Sequence, residues 1–349
     1  MKKVAVIIVN YNGLKYLPDL FGSLFKFPPE SVSQEILVID NNSTDNSISW
    51  LKEHYPEVKI LQQSENLGFA QANNLGMQYA IDQNFDYVFL LNQDTLIEKG
   101  CLDSLAAQIE ESDKYGAVQP RIMLHPQTEL VNSLGNRIHF LGFGYTYGHK
   151  HRFEELSLTD NQVDYCSGAA VLFKTEVLKK VGLFDPELFM YHEDLDLGWR
   201  LSLNGWDNLV CDQAVIYHKY EFSRSIKKYY FMERNRFKVI FQNYKLGTIL
   251  LLLPALIIME IGLLATSVKN GFLREKIRGY LYLLNPVNIV KILSKRKEIQ
   301  SQRSRPDYEI VKRFSGKIEH QEINNPVIEK LINPLFNFYW RIVKKMIIW

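Results

Sequence analysis

Strand-like and helix-like segments alternate at short intervals through the first third of the 349-residue chain. Short apolar runs rich in β-branched residues predict strands, and the amphipathic segments between them predict helices. The predicted strands are 3–9, 34–40, 57–62 and 86–91, and the predicted helices are 15–26, 45–54, 68–82 and 99–113. This alternation is typical of a parallel sheet covered by helices. The sequence therefore predicts an α/β fold that binds its ligands at the carboxyl ends of the strands.

Three of the predicted strands end in polar residues at the edge where such sheets bind ligands. These residues are Asn10-Tyr11-Asn12-Gly13, Asp40-Asn41-Asn42 and Asn92-Gln93-Asp94. A dinucleotide-binding fold needs a G-x-G-x-x-G turn after its first strand, and the sequence contains neither this turn nor a P-loop. The phosphate charge of a nucleotide would then be met by a divalent cation held by a carboxylate, and Asp94 directly follows its strand.

Charge is divided unevenly along the chain, although the formal total is only +2. Residues 245–349 contain about 18 Lys and Arg against about 8 Asp and Glu, roughly +10, which leaves roughly −8 for residues 1–244. The basic part also contains an apolar stretch, 246–268, which Pro254 and Glu260 interrupt. A basic segment with apolar and aromatic residues favours an anionic membrane surface as partner over nucleic acid, for which the sequence contains no binding motif.

The apolar stretch has about the length of a membrane span, so a single spanning helix is one interpretation. We favour a peripheral or monotopic arrangement on the cytoplasmic face of the cell membrane, because stretches 272–297 and 335–349 are basic and aromatic and the start of the chain lacks an export signal. A buried helix of an oligomer interface is the alternative. Three widely spaced cysteines without a CxxC pair are typical of a reducing compartment.

An ordered set of motifs resembles the inverting family 2 glycosyltransferases. The motifs extend over residues 3–240 and read VIIVNYNG, VIDNNSTD, NLGFAQANNLG, LLNQDT, CSGAAVLF and HEDLDLGWR. The resemblance implies the GT-A fold, a Rossmann-like mixed sheet flanked by helices, with a catalytic domain at 1–240 and a helical, membrane-associating region at 241–349. Within the family, the sequence is most similar to bacterial rhamnosyltransferases of cell-surface polysaccharide assembly. This similarity implies transfer of L-rhamnose from dTDP-rhamnose.

When the residue roles of the family are assigned to the matching positions of this sequence, the resemblance implies a nucleotide-sugar site at the polar ends of the three predicted strands. Tyr11 would stack on a pyrimidine ring, and Asp40 would accept the ring N–H that uracil and thymine present. The full set of predicted nucleotide-sugar residues is Asn10, Tyr11, Asn12, Asp40, Asn42, Asn66, Gly68, Asn73, Asn92 and Gly168. Four of these residues also have a purely structural interpretation. In this alternative, Tyr11 would pack under a loop, Asp40 would cap the next helix, and Gly68 and Gly168 would be turn residues.

The turn Asn92-Gln93-Asp94 departs from the Asp-x-Asp pattern of the family, because its first carboxylate is replaced by an amide. Asp94 keeps the carboxylate that the family places on Mg²⁺ or Mn²⁺. Asn92 can still form hydrogen bonds with a ribose hydroxyl or a metal-bound water. The resemblance implies His218 as the second metal ligand, and a packed, hydrogen-bonded His is the alternative interpretation.

The segment YHEDLDLGWRLSLNGW contains the residues expected to perform the chemistry. Inverting transfer is a single displacement, which needs a base for the acceptor hydroxyl and stabilisation of the departing nucleotide diphosphate. Asp194 matches the base of the family, and Glu193 would orient it or hold the acceptor. Asp196 and Arg200 lie four residues apart on a predicted helix, which indicates a structural ion pair. Trp199 is predicted to lie in the core, and a stacking platform for a sugar is the alternative.

The resemblance implies a dTDP- or UDP-sugar as donor and a lipid-linked saccharide as acceptor. Downstream, Arg234 and Arg236 either bind the diphosphate of this acceptor or form a solvated helix face. Two other functions share the same features: a polyprenyl-phosphate sugar synthase, whose acceptor is a phosphate, and a non-catalytic scaffold that binds sugar nucleotides. The presence of Asp194 argues against the scaffold.

Overall fold

A computed structural model describes residues 1–156, 160–221, 228–318 and 328–349. The chain forms two compact units. The first contains residues 1–136, 146–201 and 206–220, and the second contains residues 137–145, 202–205 and those from Glu221 onward. The predicted domain boundary at residue 240 lies inside a helix, Tyr229–Asn243, that belongs wholly to the second unit.

A ten-stranded mixed sheet is the centre of the first unit. The described residues form these ten strands and a separate pair, β8 and β9. In chain order they are β1 Lys2–Asn10, β2 Val32–Asp40, β3 Lys59–Gln62, β4 Tyr87–Leu91, β5 Thr95–Ile97, β6 Tyr115–Leu124, β7 Val131–Ser133, β8 Asn136–Ile138, β9 Gly144–Thr146, β10 Gln162–Val163, β11 Ala170–Lys174 and β12 Asp207–His218. Their order across the sheet is β10-β12-β6-β11-β4-β1-β2-β3, with β5 on β12, β7 on β6, and β8 paired with β9 outside it. The first four strands run parallel, whereas β11 runs antiparallel between β4 and β6.

Helices flank this sheet and make up most of the second unit. They are α1 Leu17–Lys26, α2 Ser47–His54, α3 Gly68–Asp82, α4 Cys101–Ile109, α5 Thr175–Val181, α6 Glu193–Leu203, α7 Tyr229–Asn243, α8 Leu246–Lys269, α9 Leu273–Leu284, α10 Pro286–Gln302, α11 Asp307–Ile310 and α12 Asn333–Met346. The strands and helices predicted in the first 113 residues are all present, with ends shifted by at most four residues. The predicted α/β architecture is therefore confirmed.

Both faces of β1 are buried, which explains its uninterrupted apolar run. Val4, Val6 and Ile8 point to one face and pack with α1 and α4. Ala5 and Ile7 point to the other face and pack with α3. Because a parallel strand is covered by helices on both sides, polar residues are confined to its end. The ligand-binding edge is therefore the place where β1, β2 and β4 turn polar.

The second unit contains a buried cluster of charged side chains on α7, α8 and α9. Glu233 and Glu260 form ion pairs with Arg236 and Lys276, which are both almost fully buried. Removal of one partner from such a cluster leaves an unpaired buried charge and costs about 3–5 kcal/mol. Arg234 is also buried, so of the two alternatives for Arg234 and Arg236 the solvated helix face is wrong.

Helix α8 is apolar on its buried and on its exposed side. It has 24 residues, and its most apolar stretch of 18 residues has a mean hydropathy of 2.4, which by length and composition would suffice to cross a membrane. One side packs inside the unit through residues such as Leu252 and Leu256. The other side exposes Leu246, Leu250, Leu253, Ile257, Ile261, Leu264 and Val268 at helical spacing, and we call this stripe the apolar face of α8.

Candidate active site

Hydrogen bonds join the loops after β1 and β4 at the carboxyl end of the sheet. The side chain of Gln93 accepts the backbone N–H of Tyr11 at 2.9 Å and donates to the Tyr11 carbonyl at 3.3 Å. Gly13 permits this approach, because a Cβ at this position would overlap the Gln93 side chain. Tyr11 is 47% exposed, so its ring does not pack under a loop and can stack on a ligand.

The side chain of Asn10 holds the loop after β2 through hydrogen bonds. The Asn10 amide nitrogen donates to Asp40 Oδ1 at 3.0 Å and to the hydroxyls of Ser43 and Ser47, each at 2.9 Å. Asp40 is 2% exposed and does not cap α2, because its other oxygen receives the N–H of Ser43 at 3.4 Å, before that helix begins. Asn12 accepts a backbone N–H of the same loop at 2.8 Å. These residues shape the loop, and their contact with a nucleotide stays a prediction.

The turn before α3 is organised by Asn41 and Asn66. Asn41 donates to Oδ1 of Asn66 at 3.0 Å and accepts the N–H of Leu67 at 2.8 Å. The same Asn66 oxygen accepts the N–H of Gly68 at 2.9 Å. Gly68 has a φ of 77°, and a Cβ there would overlap the ring of Phe189. The turn therefore requires glycine at this position, as the structural alternative for Gly68 predicts.

Asn73 and Asn42, two further residues of the predicted nucleotide-sugar site, lie in different surroundings from those above. The amide of Asn73 is buried and donates to the carbonyl of Phe69, one turn earlier in α3, at 2.9 Å. Asn42 is exposed in the turn after β2 with a φ of 65°, a conformation that Asn tolerates. Asn73 is thus engaged within its own helix, and a nucleotide contact of either residue stays a prediction.

Asp94 and His218 meet because β5 pairs with β12. The two strands run antiparallel, and Thr95, the first residue of β5, lies opposite His218. Oδ1 of Asp94 lies 3.3 Å from Nε2 of His218, and the two side chains are 14% and 9% exposed. This pairing brings together two side chains that are more than a hundred residues apart in the sequence.

A carboxylate and an imidazole form a donor set that fits Mn²⁺, and a carboxylate with substrate phosphates fits Mg²⁺. Within the described ranges, no group of three or more His, Cys, Asp and Glu side chains could hold a metal by itself. The remaining ligands of a cation at Asp94 and His218 would therefore be oxygens of substrate and water. The residues fit a cation shared between protein and substrate.

Asp194 lies in the first turn of α6, with a backbone donor on each carboxylate oxygen. Oδ2 accepts the N–H of Gly168 at 3.1 Å, and Oδ1 accepts the N–H of Leu195 at 2.7 Å. Burial raises the pKa of Asp194 above its usual range, and these hydrogen bonds limit the rise. The N–H of Asn92 donates to the carbonyl of Ala169 at 2.9 Å, so the turn that contains Asp94 adjoins the loop that holds Asp194.

The backbone is strained just before α6. Three residues of this segment have a positive φ: Phe189 (62°), Tyr191 (65°) and His192 (69°). Such conformations cost on the order of 1–3 kcal/mol each and persist only where the surrounding structure holds them. The N–H of Ala70 donates to the Phe189 carbonyl at 3.0 Å, and the His192 carbonyl accepts the N–H of Asp196 at 2.8 Å. The strained segment leads directly into the turn that presents Asp194.

Glu193 is a buried carboxyl next to the candidate base. Its Oε2 atom is buried and has no hydrogen-bond partner among the described residues. Burial, followed by the charge of the adjacent Asp194, raises the pKa of Glu193 well above its usual range. Because the charge of Asp194 opposes a second ionisation, Glu193 keeps its proton after Asp194 has lost its own.

We expect Glu193→Gln to stabilise the protein at alkaline pH and to have little effect at acid pH. A carboxyl whose pKa is raised by folding contributes its full stability below the unfolded pKa and loses it as the pH rises through the folded pKa. Glutamine keeps the shape of the side chain and has no charge to bury. Thermal unfolding between about pH 4 and pH 9 measures the difference, since each kcal/mol shifts the midpoint by about 2–4 °C in a domain of this size. Equal midpoints of both proteins at the alkaline end would contradict this prediction.

Asp196 and Arg200 form the structural ion pair that their spacing predicts. Nε of Arg200 donates to Oδ2 of Asp196 at 2.8 Å, and both side chains are buried. The other guanidinium nitrogens donate to the carbonyls of Val181 and Leu183 at 3.0 and 2.6 Å. Trp199 is buried too and belongs to the core, as predicted, so it is not a platform for a sugar.

Gln93 and Asn41 are not among the site residues predicted from the sequence, although their side chains join the loops of the site. Gln93 links the loops after β1 and β4, and Asn41 links the loop after β2 to the turn before α3. Each lies directly beside an assigned residue in a polar turn. This neighbouring position in a polar turn is the sequence signal that could have identified Gln93 and Asn41 as site residues.

Comparison with known proteins places the chain in a family. The model of the family described as Glycosyl transferase family 2 matches residues 5–182. An N-acetylglucosaminyl-diphospho-decaprenol L-rhamnosyltransferase of Mycobacterium tuberculosis is 30% identical over 234 residues, which cover 61% of this chain and 75% of that protein. The low-salt glycan biosynthesis hexosyltransferase Agl10 of Haloferax volcanii is 25% identical over 202 residues, covering 56% of this chain and 61% of Agl10.

Solved structures show the same fold. S. aureus TarS 1-349 in complex with UDP is similar with a TM-score of 0.52 and 18% identity, over 99% of this chain and 90% of that chain. GalNAc-T7 with UDP, GalNAc and Mn²⁺ is similar with a TM-score of 0.55 and 18% identity, over 69% of this chain and 48% of that one. The mixed sheet with flanking helices is the GT-A fold that the sequence motifs imply. With a family model that matches half of its length, the chain belongs to glycosyl transferase family 2 and is a glycosyltransferase.

Proposed function

We propose that this chain is an inverting glycosyltransferase of cell-surface glycan biosynthesis, which transfers L-rhamnose from dTDP-rhamnose to a lipid-linked saccharide. The observation that carries the proposal is the partly buried carboxylate of Asp194, which backbone N–H groups orient on both oxygens. The donor sugar is supported by the relative from Mycobacterium tuberculosis, whose name specifies L-rhamnose transfer to a diphospho-decaprenol saccharide.

Asp194 is the base of this reaction. It takes the proton of the acceptor hydroxyl as that oxygen attacks the anomeric carbon of the donor. The bond from this carbon to the nucleotide diphosphate breaks in the same step, so the configuration inverts and the proton ends on Asp194. A raised pKa makes Asp194 a stronger base than an exposed carboxylate. Glu193, which keeps its proton, adds no second negative charge beside it.

Asp94 and His218 are the residues that would hold Mg²⁺ or Mn²⁺ at the donor site. When bound, the cation neutralises the charge that develops on the departing diphosphate. Asn92 adds a hydrogen bond to a ribose hydroxyl or to a water on the cation. The proposal is supported by the donor set of Asp94 and His218 and by GalNAc-T7, which was solved with UDP and Mn²⁺.

Tyr11 and Asp40 select a pyrimidine nucleotide. The exposed ring of Tyr11 stacks on the base, and the Asp40 carboxylate accepts the ring N–H of thymine or uracil, which cytosine lacks. The other residues of the nucleotide-sugar side are Asn10, Asn12, Asn42, Asn66, Gly68, Asn73, Asn92 and Gly168. TarS, solved with UDP and with UDP-GlcNAc, supports a pyrimidine nucleotide.

A thermal-shift screen of nucleotide sugars with Mg²⁺ or Mn²⁺ tests the donor. We expect dTDP-rhamnose to raise the unfolding midpoint, because a ligand at a hundredfold excess over its Kd stabilises the folded state by about 2.7 kcal/mol. CDP is the control and should give no shift. Transfer to a lipid-linked saccharide, but not to bare polyprenyl phosphate, would exclude the polyprenyl-phosphate sugar synthase. Donor binding without transfer to either acceptor would favour the scaffold.

The second unit binds the cytoplasmic surface of an anionic membrane, where lipid-linked acceptors reside. The apolar face of α8 supplies hydrophobic contact, and residues 245–349 carry the basic excess of roughly +10. Each Lys or Arg near anionic lipid contributes about 1 kcal/mol. Glu260 on α8 pairs with Arg236 and Lys276, and a spanning α8 would bring this charged cluster into the hydrocarbon. A monotopic arrangement leaves the cluster inside the protein.

We expect the double variant Ile257→Glu, Ile261→Glu to lose binding to phosphatidylserine-containing vesicles by about 10²-fold. Both side chains are exposed, so the change leaves the core intact and removes about 1.5 kcal/mol or more of lipid contact at each position. The matched control is Ser301→Glu, Gln302→Glu, which adds the same charge at exposed polar positions of α10. Vesicle sedimentation measures binding, and high salt should release the wild type only in part. Equal sedimentation of the double variant and the control would contradict the role of α8.

A further inference from the structure

Asn132 contacts His218 although no sequence motif marks it. Its Oδ1 lies 3.0 Å from Nδ1 of His218, and Asn132 is 7% exposed. An amide oxygen only accepts hydrogen bonds, so Nδ1 of His218 carries a proton and Nε2 is the nitrogen left to bind a cation. Nε2 is the atom that faces Oδ1 of Asp94 at 3.3 Å. Asn132 therefore determines which nitrogen His218 offers to a cation.

A β-bulge places Asn132 beside His218. Across β6 and β7, Ile122 lies opposite Ser133 and Met123 lies opposite Val131. Asn132 is thus the extra residue of β7, and a bulge turns its side chain away from the regular alternation. On the other edge of β6, Tyr217 of β12 lies opposite Met123, immediately before His218. The bulge lets the Asn132 side chain reach across β6 to the imidazole.

The backbone of Asn132 is held on both sides. Nδ1 of His149, which is buried, lies 3.2 Å from the carbonyl oxygen of Asn132. The preceding residue, Val131, donates its N–H to the carbonyl of His151 at 2.9 Å and accepts the N–H of Lys150 at 2.8 Å. These bonds limit the movement of β7 at the bulge, so the Asn132 side chain keeps one direction.

We propose that Asn132 is a positioning residue, which holds His218 in the orientation and tautomer that bind a divalent cation through Nε2. The inference rests on the proposed metal role of Asp94 and His218. A histidine that ligates a metal nearly always donates its other N–H to a carbonyl, carboxylate or water, and loss of this partner costs about 10- to 100-fold in metal affinity. Asn132 acts only through His218.

Titration with Mn²⁺ in the presence of UDP, followed by the electron paramagnetic resonance signal of free Mn²⁺, tests this role. We expect Asn132→Leu, which keeps the volume and removes the acceptor, to weaken Mn²⁺ binding by about 10- to 100-fold. Asn132→Asp, whose oxygens accept from Nδ1, should retain the affinity within about threefold. An aspartate variant that binds Mn²⁺ as weakly as the leucine variant would overturn the acceptor role.

A double-mutant cycle with His218→Ala separates positioning from a general effect on the fold. In the His218→Ala background, Asn132→Leu should change the Mn²⁺ affinity by less than about twofold, because there is no imidazole left to orient. An unchanged affinity in the single variant, or the same loss in both backgrounds, overturns the inference. Wild-type protein that binds no Mn²⁺ with UDP overturns the proposed metal site itself. Thermal unfolding of each variant verifies that it folds.

Discussion

Asp194→Asn is expected to reduce sugar transfer by about 10²-fold or more and to leave donor binding nearly intact. The amide has the shape of the carboxylate but cannot take the proton of the acceptor hydroxyl. Its NH₂ group also meets the N–H of either Gly168 or Leu195, because both donate to the wild-type carboxylate. The lost hydrogen bond should cost about 1 kcal/mol of stability, too little to unfold the protein. Transfer of labelled sugar and calorimetric donor binding measure the two parts of this prediction.

The pH profile supplies the control for this variant. Burial raises the pKa of Asp194, so the wild-type kcat/KM should rise with pH through a value above the usual range of an aspartate, as the base loses its proton. Because the variant has no carboxyl at this position, this acid limb should disappear from its residual activity. Transfer within a factor of about three of wild type, or an unchanged acid limb, would remove Asp194 from the role of base.

Asp94→Ala is expected to weaken Mn²⁺-dependent donor binding by about 10²-fold or more. The substitution deletes the carboxylate beside His218, and a lost ligand should cost at least as much as a lost outer-shell partner, which costs about 10- to 100-fold. Calorimetric titration of UDP with and without Mn²⁺ measures the effect.

Chelation is the matched control for this substitution. In EDTA, wild type and Asp94→Ala should bind UDP with the same low affinity, because neither then holds a cation. Asn92 is already an amide, so no other carboxylate in this turn can take over the role of Asp94. If donor affinity withstands both chelation and substitution, the metal assignment is wrong.

Local sequence predicted the first half of the sheet because the signals there are local. The apolar run of β1 requires burial on both faces, and helices on both sides provide it. Polar residues that follow such a strand therefore lie at the carboxyl edge of the sheet. Asn73 shows the limit of this reasoning, since its place in a motif does not reveal that its amide bonds back to Phe69 within α3.

The mixed part of the sheet is decided by pairings between distant segments. β11 inserts antiparallel between β4 and β6, and β5 folds onto β12. The contact between Asp94 and His218 follows from this last pairing and has no local signal. The contact between Asn132 and His218 depends on a bulge of one residue, which the alternation of a three-residue strand cannot reveal.

The sequence by itself determined the α/β class, the carboxylate at the end of β4, the ion pair of Asp196 with Arg200 and the basic, apolar character of the last hundred residues. These features depend on composition and on spacing along one strand or helix. Only the tertiary structure decided that Asn10 is buried under its loop and that Arg236 lies in an ion cluster instead of in solvent. It also decided that one oxygen of Glu193 has no hydrogen-bond partner in the part of the chain that the structure describes. Burial and pairing are properties of the neighbours that folding brings from elsewhere in the chain, and they set both the pKa of a carboxyl and the role of a charge.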